Sequence, residues 1–179
     1  RMLDSDDIFP IDSTERMLDL ARKHSADMVY GNFIKTGKKP QALENCLLED
    51  FSYFYKKDAI RTILRGRFIR MGQLIKTSVL QAAGGADERV FIQDESIPLR
   101  AGLKADGIVK MSANVVLVPE EIGNAGSNKS QLNFDRFFAY YYVLVDNKDK
   151  LAPDVEKKLY MRALSAFWKQ TRSTSKQPW

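Results

Sequence analysis

Three carboxylates stand within four residues near the start of the chain, in Asp4-Ser5-Asp6-Asp7. At neutral pH they repel one another, so grouping them costs stability unless a cation or basic groups neutralise them. Carboxylate oxygens are hard ligands that suit Mg²⁺ or Mn²⁺, ions that commonly bridge to substrate phosphates. The same residue types also suit a solvated turn leading into a helix, where Asp is frequent. A second acidic site is Asp94-Glu95, with Arg100 six positions after Asp94. At the start of a helix, Asp94 would sit where backbone N–H groups favour an anion. A carboxylate so placed, with an arginine nearby, is suited to general-base work.

The elements that must position these groups alternate between helix and strand. Asp12-Ser13-Thr14-Glu15 offers capping residues, and Met17, Leu18, Leu20 and Ala21 follow at helical spacing, which predicts a helix over 13–24. Ala26 to Phe33 reads as a strand, Thr36 to Pro40 as a turn, and 55–65 and 73–82 as helices. Gly84-Gly85 ends the last of these as C-cap glycines do. Helical periodicity resumes from Ile97 to Lys104, and Ile108 to Met111 and Asn114 to Val118 read as two strands. A polar loop from Gly123 to Ser130 then leads to two long helices, 131–147 and 153–171. The alternation predicts an α/β fold.

Composition narrows the class. The chain has 179 residues, 44% of them hydrophobic and 28% charged, enough for one domain with a sizeable core. Lys and Arg total 28 against 23 Asp and Glu, a formal charge of +5. The excess suits an anionic ligand or an anionic membrane surface. The basic residues are spread rather than gathered into a stripe, so we expect no nucleic-acid partner. The single cysteine, Cys46, allows no internal disulfide and points to the cytoplasm. No apolar run approaches the ~20 residues of a membrane span. The chain opens on its acidic cluster with no strand or helix before it, and we expect an upstream segment to be missing.

Four segments in order resemble the GT-A glycosyltransferases of family 2. Leu3-Asp4-Ser5-Asp6-Asp7 resembles the metal-binding D-x-D motif that ends a central strand, and Ala26-Asp27-Met28-Val29-Tyr30-Gly31 the strand after the next helix. Gly84-Gly85-Ala86-Asp87-Glu88-Arg89 resembles the family's G-G-F-D-E-x turn. Gln93-Asp94-Glu95-Ser96-Ile97-Pro98-Leu99-Arg100 resembles the E-D-x-x-L-x-x-R segment that carries its catalytic base. Departures are Ala86 for Phe, Gln93 for Glu, and Pro98 within the base segment. The Q-x-x-R-W motif of processive members is absent, and the N-terminal strands that bind the nucleotide base have no counterpart.

The resemblance implies a GT-A-like mixed sheet flanked by helices, occupying 1–130, with a helical C-terminal region over 131–179. It implies an inverting enzyme that moves a sugar from a nucleotide donor, expected to be UDP-linked, to a saccharide or lipid-linked acceptor in bacterial cell-envelope polysaccharide synthesis. Asp4 and Asp6 would hold Mn²⁺ or Mg²⁺, with Asp7 beside them at the nucleotide. Asp94 would be the general base, with Glu95 its rival, and Arg100 would orient the segment or bind the acceptor. Lys129 sits where the family has a mobile lid and would pair with the diphosphate; a solvated loop lysine is the alternative. A non-catalytic GT-A-like binding module and a different Mg²⁺-dependent phosphotransferase are the competing functions. The C-terminal helix carries Leu159, Met161, Leu164, Phe167 and Trp168 with Lys157, Lys158, Arg162, Lys169 and Arg172. Such a composition fits peripheral contact with the inner membrane face, docking on its own domain, or self-association into a homo-oligomer.

Overall fold

The computed structural model describes residues 8–36, 50–66, 72–119 and 129–174. The expected turn after Thr36 and most of the loop before Ser130 lie outside them. In chain order the elements are α1 (Ser13–His24), β1 (Met28–Thr36), β2 (Tyr53–Lys56), α2 (Ala59–Arg65), β3 (Leu74–Ile75), α3 (Thr77–Ala82), α4 (Gln93–Gly102), β4 (Ile108–Pro119), α5 (Lys129–Asp146) and α6 (Pro153–Thr174). The sheet runs β2-β4-β1-β3. Its two central strands, β1 and β4, are parallel, while β2 and β3 pair antiparallel at the edges. The fold is thus the expected GT-A-like mixed sheet flanked by helices, with a helical C-terminal part.

Alternation along the strands divides the core into two layers. On one face Val29, Val109, Met111 and Val115 pack with Met17 and Leu20 of α1. On the other, Met28, Tyr30 and Ile108 join Ile63 of α2, Ile97 and Leu99 of α4, Ala139 and Val143 of α5, and Val155 and Leu159 of α6. The C-terminal helices therefore share the core of the sheet. Tyr30 lies deep in this layer, and burial pushes its phenol pKa up to about 12.

The ends of α1, expected at 13 and 24, match the structure, as does the pair of long C-terminal helices within two or three residues. His24 closes α1 and stacks on Tyr55 with ring centroids 5.4 Å apart. Elsewhere tertiary pairing overrides local pattern. The helix expected over 55–65 is strand β2 followed by α2, because Tyr53, Phe54 and Tyr55 pair with Met111, Lys110 and Val109 of β4. Asp58 then caps α2 by accepting from Arg61 N. The helix expected over 73–82 starts only at Thr77, since Leu74 and Ile75 pair with Val29 and Met28. Helix α4 begins at Gln93, before the expected Ile97, and contains Pro98, which has no N–H to offer the Asp94 carbonyl. The two strands expected at 108–111 and 114–118 are the single β4, irregularly registered against β1.

That irregularity spans Gly31, against which Ala113 and Val115 of β4 pack. A Cβ built on Gly31 would lie 2.4 Å from Val115 Cγ1 and 2.8 Å from the Ala113 carbonyl oxygen. A backbone carbonyl between two paired strands cannot step aside. Gly31→Ala should therefore destabilise the fold by about 1–3 kcal/mol, lowering the melting temperature by roughly 2–4 °C for each kcal/mol. An unchanged melting curve would show that the strands separate more easily than this contact implies.

Candidate functional site

A cavity of about 330 Å³ lies among the described residues, and Asp94 lines it. Its walls come from four helices: Ile63 and Leu64 of α2; Asp94, Glu95 and Leu99 of α4; Arg136 and Tyr140 of α5; and Arg162 of α6. The volume falls within the ~300–1,000 Å³ usual for small-molecule sites. Two carboxylates, two guanidiniums and a phenol line a pocket otherwise floored by aliphatic side chains. Such a lining offers donors and acceptors to a polyhydroxylated molecule and one carboxylate to take a proton.

The two carboxylates differ sharply in environment. Glu95 is 6% exposed, and Arg136 Nε donates to its Oε1 at 2.9 Å. A carboxylate gripped by a guanidinium is a poor base, because accepting a proton would break that ion pair. Asp94 is half-buried on the first turn of α4, where the backbone N–H groups stabilise its anion. Arg162 Nη2 donates to the Leu64 carbonyl at 3.1 Å, closing the cavity between α2 and α6.

The turn that delivers α4 is fixed from several directions. Asp87, 5% exposed, accepts from Arg89 Nε at 2.8 Å and Nη2 at 2.9 Å, and from the Arg89 backbone N–H at 3.1 Å. Arg89 also reaches Asp146 of α5 at 2.5 Å and lies 3.9 Å over the Tyr142 ring. The Arg89 guanidinium, with Arg100 helping, holds the Asp87 carboxyl below its ordinary 3.8. A depressed carboxylate stabilises the fold above its unfolded value, so this contribution is present near neutrality and is lost as the pH falls below about 4. Gln93 ties the turn to the helix: its amide nitrogen donates to the Asp87 and Val90 carbonyls, and its oxygen accepts from the Asp87 N–H and the Ser96 hydroxyl. A glutamate at 93 could not make both kinds of bond while ionised. The departure Gln93 thus has a structural use.

The structure brings together some of the expected site residues and not others. Asp94 and Glu95 share the cavity. Arg100 is directed to the other side of α4, where Nε donates to the Ala83 carbonyl at 3.1 Å and Nη1 lies 3.4 Å from Asp87. Gly84 supplies the left-handed φ of +76° that this turn requires. Asp4, Asp6 and Asp7 lie outside the described residues; Ile8, directly after them, bridges to Leu117 near the end of β4. Lys129 is the first residue of α5, and its side chain is not among those described. Among the described residues no group of three or more His, Cys, Asp or Glu side chains could hold a metal ion.

Of the cavity residues, Arg136 was not singled out from the sequence, and Arg162 was read there only as part of the basic C-terminal helix. For Arg136 a signal existed: Asp135-Arg136 is a charged pair set into the aromatic run Phe134 to Tyr142 of α5.

No protein-family profile matches the chain, and no curated protein is similar to it in sequence. Its fold, however, is found in solved structures of S. aureus TarS. The chain superimposes on TarS 1–349 in complex with UDP-GlcNAc with a TM-score of 0.65 at 13% identity, covering 96% of this chain and 49% of that one. TarS 1–349 in complex with UDP gives a TM-score of 0.63 at 11% identity, covering 96% and 47%. Against the longer TarS chain the TM-score is 0.60 at 13% identity, covering 97% and 28%. The chain thus spans about half the length of TarS 1–349 and shares its fold.

Proposed function

We propose that this chain is the catalytic part of an inverting glycosyltransferase that uses a nucleotide sugar, with a UDP-linked donor and a saccharide or lipid-linked acceptor. The observation that carries the reading is Asp94, a half-buried carboxylate at a helix N-terminus lining a cavity of suitable size. Two further facts support it: the four motif segments resemble family 2, and the fold is shared with a chain solved with UDP-GlcNAc and with UDP. In this reading the acceptor hydroxyl lies against Asp94, which takes its proton as the oxygen attacks the anomeric carbon. The sugar–phosphate bond breaks on the opposite face, so the anomeric configuration inverts and the nucleoside diphosphate leaves. Arg136, Tyr140 and Arg162 are placed to donate hydrogen bonds to acceptor hydroxyls. Arg100 acts at one remove, holding the Asp87 turn from which α4 departs. Release of UDP from UDP-GlcNAc, with water or added saccharides as acceptor, tests the reading. Turnover supports it, and absence of turnover with every UDP-sugar supports a binding module instead.

Asp4 and Asp6 are the metal ligands of this reading, with Asp7 and Lys129 at the nucleotide. A divalent ion held there would supply Lewis-acid neutralisation of the departing diphosphate. Asp6→Ala should then lower UDP-dependent Mn²⁺ affinity by about tenfold or more, the scale on which even supporting residues of metal sites act. Unchanged affinity by calorimetric titration removes Asp6 from the metal site.

The acceptor side of the proposal extends to α6. No helix among the described residues is long and apolar enough to cross a membrane. Helix α6 nevertheless exposes Tyr160, Met161, Leu164, Phe167 and Trp168 on the side opposite its buried Val155, Leu159, Ala163 and Ala166, with exposures from 44% at Leu164 to 59% at Trp168. Lys157, Lys169 and Arg172 stand exposed on the same helix. Aromatic side chains with flanking cations suit an anionic lipid surface. The protein should co-sediment with phosphatidylglycerol vesicles, less so at high salt, and Leu164→Glu/Trp168→Glu should abolish the effect. Salt-independent self-association through this face, without lipid binding, would replace the membrane by a second copy of the chain.

A further inference from the structure

We infer that Asp135 of α5 is a positioning residue for Asp94, an inference that rests on the reading of Asp94 as the base. Asp135 is 1% exposed, yet it is a carboxylate. Burying that group costs several kcal/mol unless its oxygens are hydrogen-bonded, so its partners matter. Its oxygens accept from the backbone N–H of Phe91 at 3.3 Å and of Ile92 at 3.1 Å. Gln131, one turn earlier on α5, donates its amide to both oxygens at 3.2 Å.

Ile92 is the N-cap of α4 and, being aliphatic, supplies no side-chain cap of its own. The helix that bears Asp94 is therefore secured at its entry by a carboxylate from another helix, 43 positions away in sequence. The next residue of α5, Arg136, grips Glu95 on the far side of Asp94. Two consecutive residues of α5 thus hold the backbone before Asp94 and the side chain after it. Rotating or sliding α5 by a fraction of an ångström would carry the base with it. Misplacement of a reacting group by about 1 Å can cost on the order of 10²-fold in rate.

The test is Asp135→Asn, which keeps the shape but offers one accepting oxygen where two N–H groups converge. Its NH₂ must then face a donor. In the full protein, amide exchange at 91–95 should accelerate about tenfold or more. The kcat for UDP release from UDP-GlcNAc should fall about tenfold or more, with KM within about twofold of wild type, the signature of a lost transition-state contact. Should this variant fail to fold, Gln131→Met, which removes the amide donors and leaves the carboxylate, should give a smaller change of the same sign in exchange and kcat. Unchanged exchange at 91–95 overturns the inference. So does accelerated exchange with an unchanged kcat while Asp94→Asn is inactive, because the base then does not depend on the turn. Full activity in Asp94→Asn itself removes the base and this inference together, and that result is separable from the others because it needs no change at Asp135.

Discussion

Asp94→Asn lowers UDP release from UDP-GlcNAc by about 10²-fold or more, the usual scale for a positioned general base, while the melting temperature and UDP affinity stay close to wild type. The physical basis is a contrast between neighbouring carboxylates. Glu95 is committed to Arg136, and protonating it would break an ion pair at 2.9 Å. Asp94 lines the cavity at the positive end of α4. Replacing Asp94 by Asn keeps size and polarity but removes the charge and the ability to accept a proton. Parallel rates for wild type and Asp94→Asn, with loss in Glu95→Gln at unchanged stability, would move the base one residue along.

Arg136→Ala carries the largest expected effect on stability. Removing the guanidinium takes from Glu95, 6% exposed, the ion pair at 2.9 Å. Breaking one side of a buried pair costs about 3–5 kcal/mol, and the partial exposure of Arg136 places this case at the lower end. About 3 kcal/mol corresponds to a fall of roughly 6–12 °C in melting temperature for a chain of this size. The double variant Glu95→Leu/Arg136→Leu should be clearly more stable than Arg136→Ala, since both charges leave the cavity together. A single variant no less stable than the double would mean that water already solvates Glu95 in the folded chain.

What could be read from the sequence follows the range of the interactions involved. Helix α1 is legible because Met17 and Leu20 recur at helical spacing behind a capping run, all within one element. Asp94-Glu95 was legible as a helix N-terminus from its residue types alone, whereas helical periodicity pointed only to Ile97 onward, four residues after the start at Gln93. Strand β2 was not, because Tyr53, Phe54 and Tyr55 become a strand only by pairing with β4, more than fifty positions away. Nor was the start of α3, where Leu74 and Ile75 answer to β1 rather than to the helix that follows. The candidate site divides in the same manner. Asp94 and its helix are local features, whereas Arg136, Tyr140 and Arg162 reach the cavity only through the packing of α5 and α6 against α4 and α2. Arg100 illustrates the reverse case: the sequence puts it near Asp94, but six residues along a helix turn it away, toward Asp87.

The most direct test of the catalytic reading is a crystal structure of the protein with UDP-GlcNAc, Mn²⁺ and a saccharide acceptor. The diphosphate is expected beside Asp6, with the anomeric carbon facing the cavity and an acceptor hydroxyl about 2.6–3.2 Å from the Asp94 carboxylate. A nucleotide bound away from this cavity, or an acceptor hydroxyl held by another carboxylate, would contradict the catalytic reading.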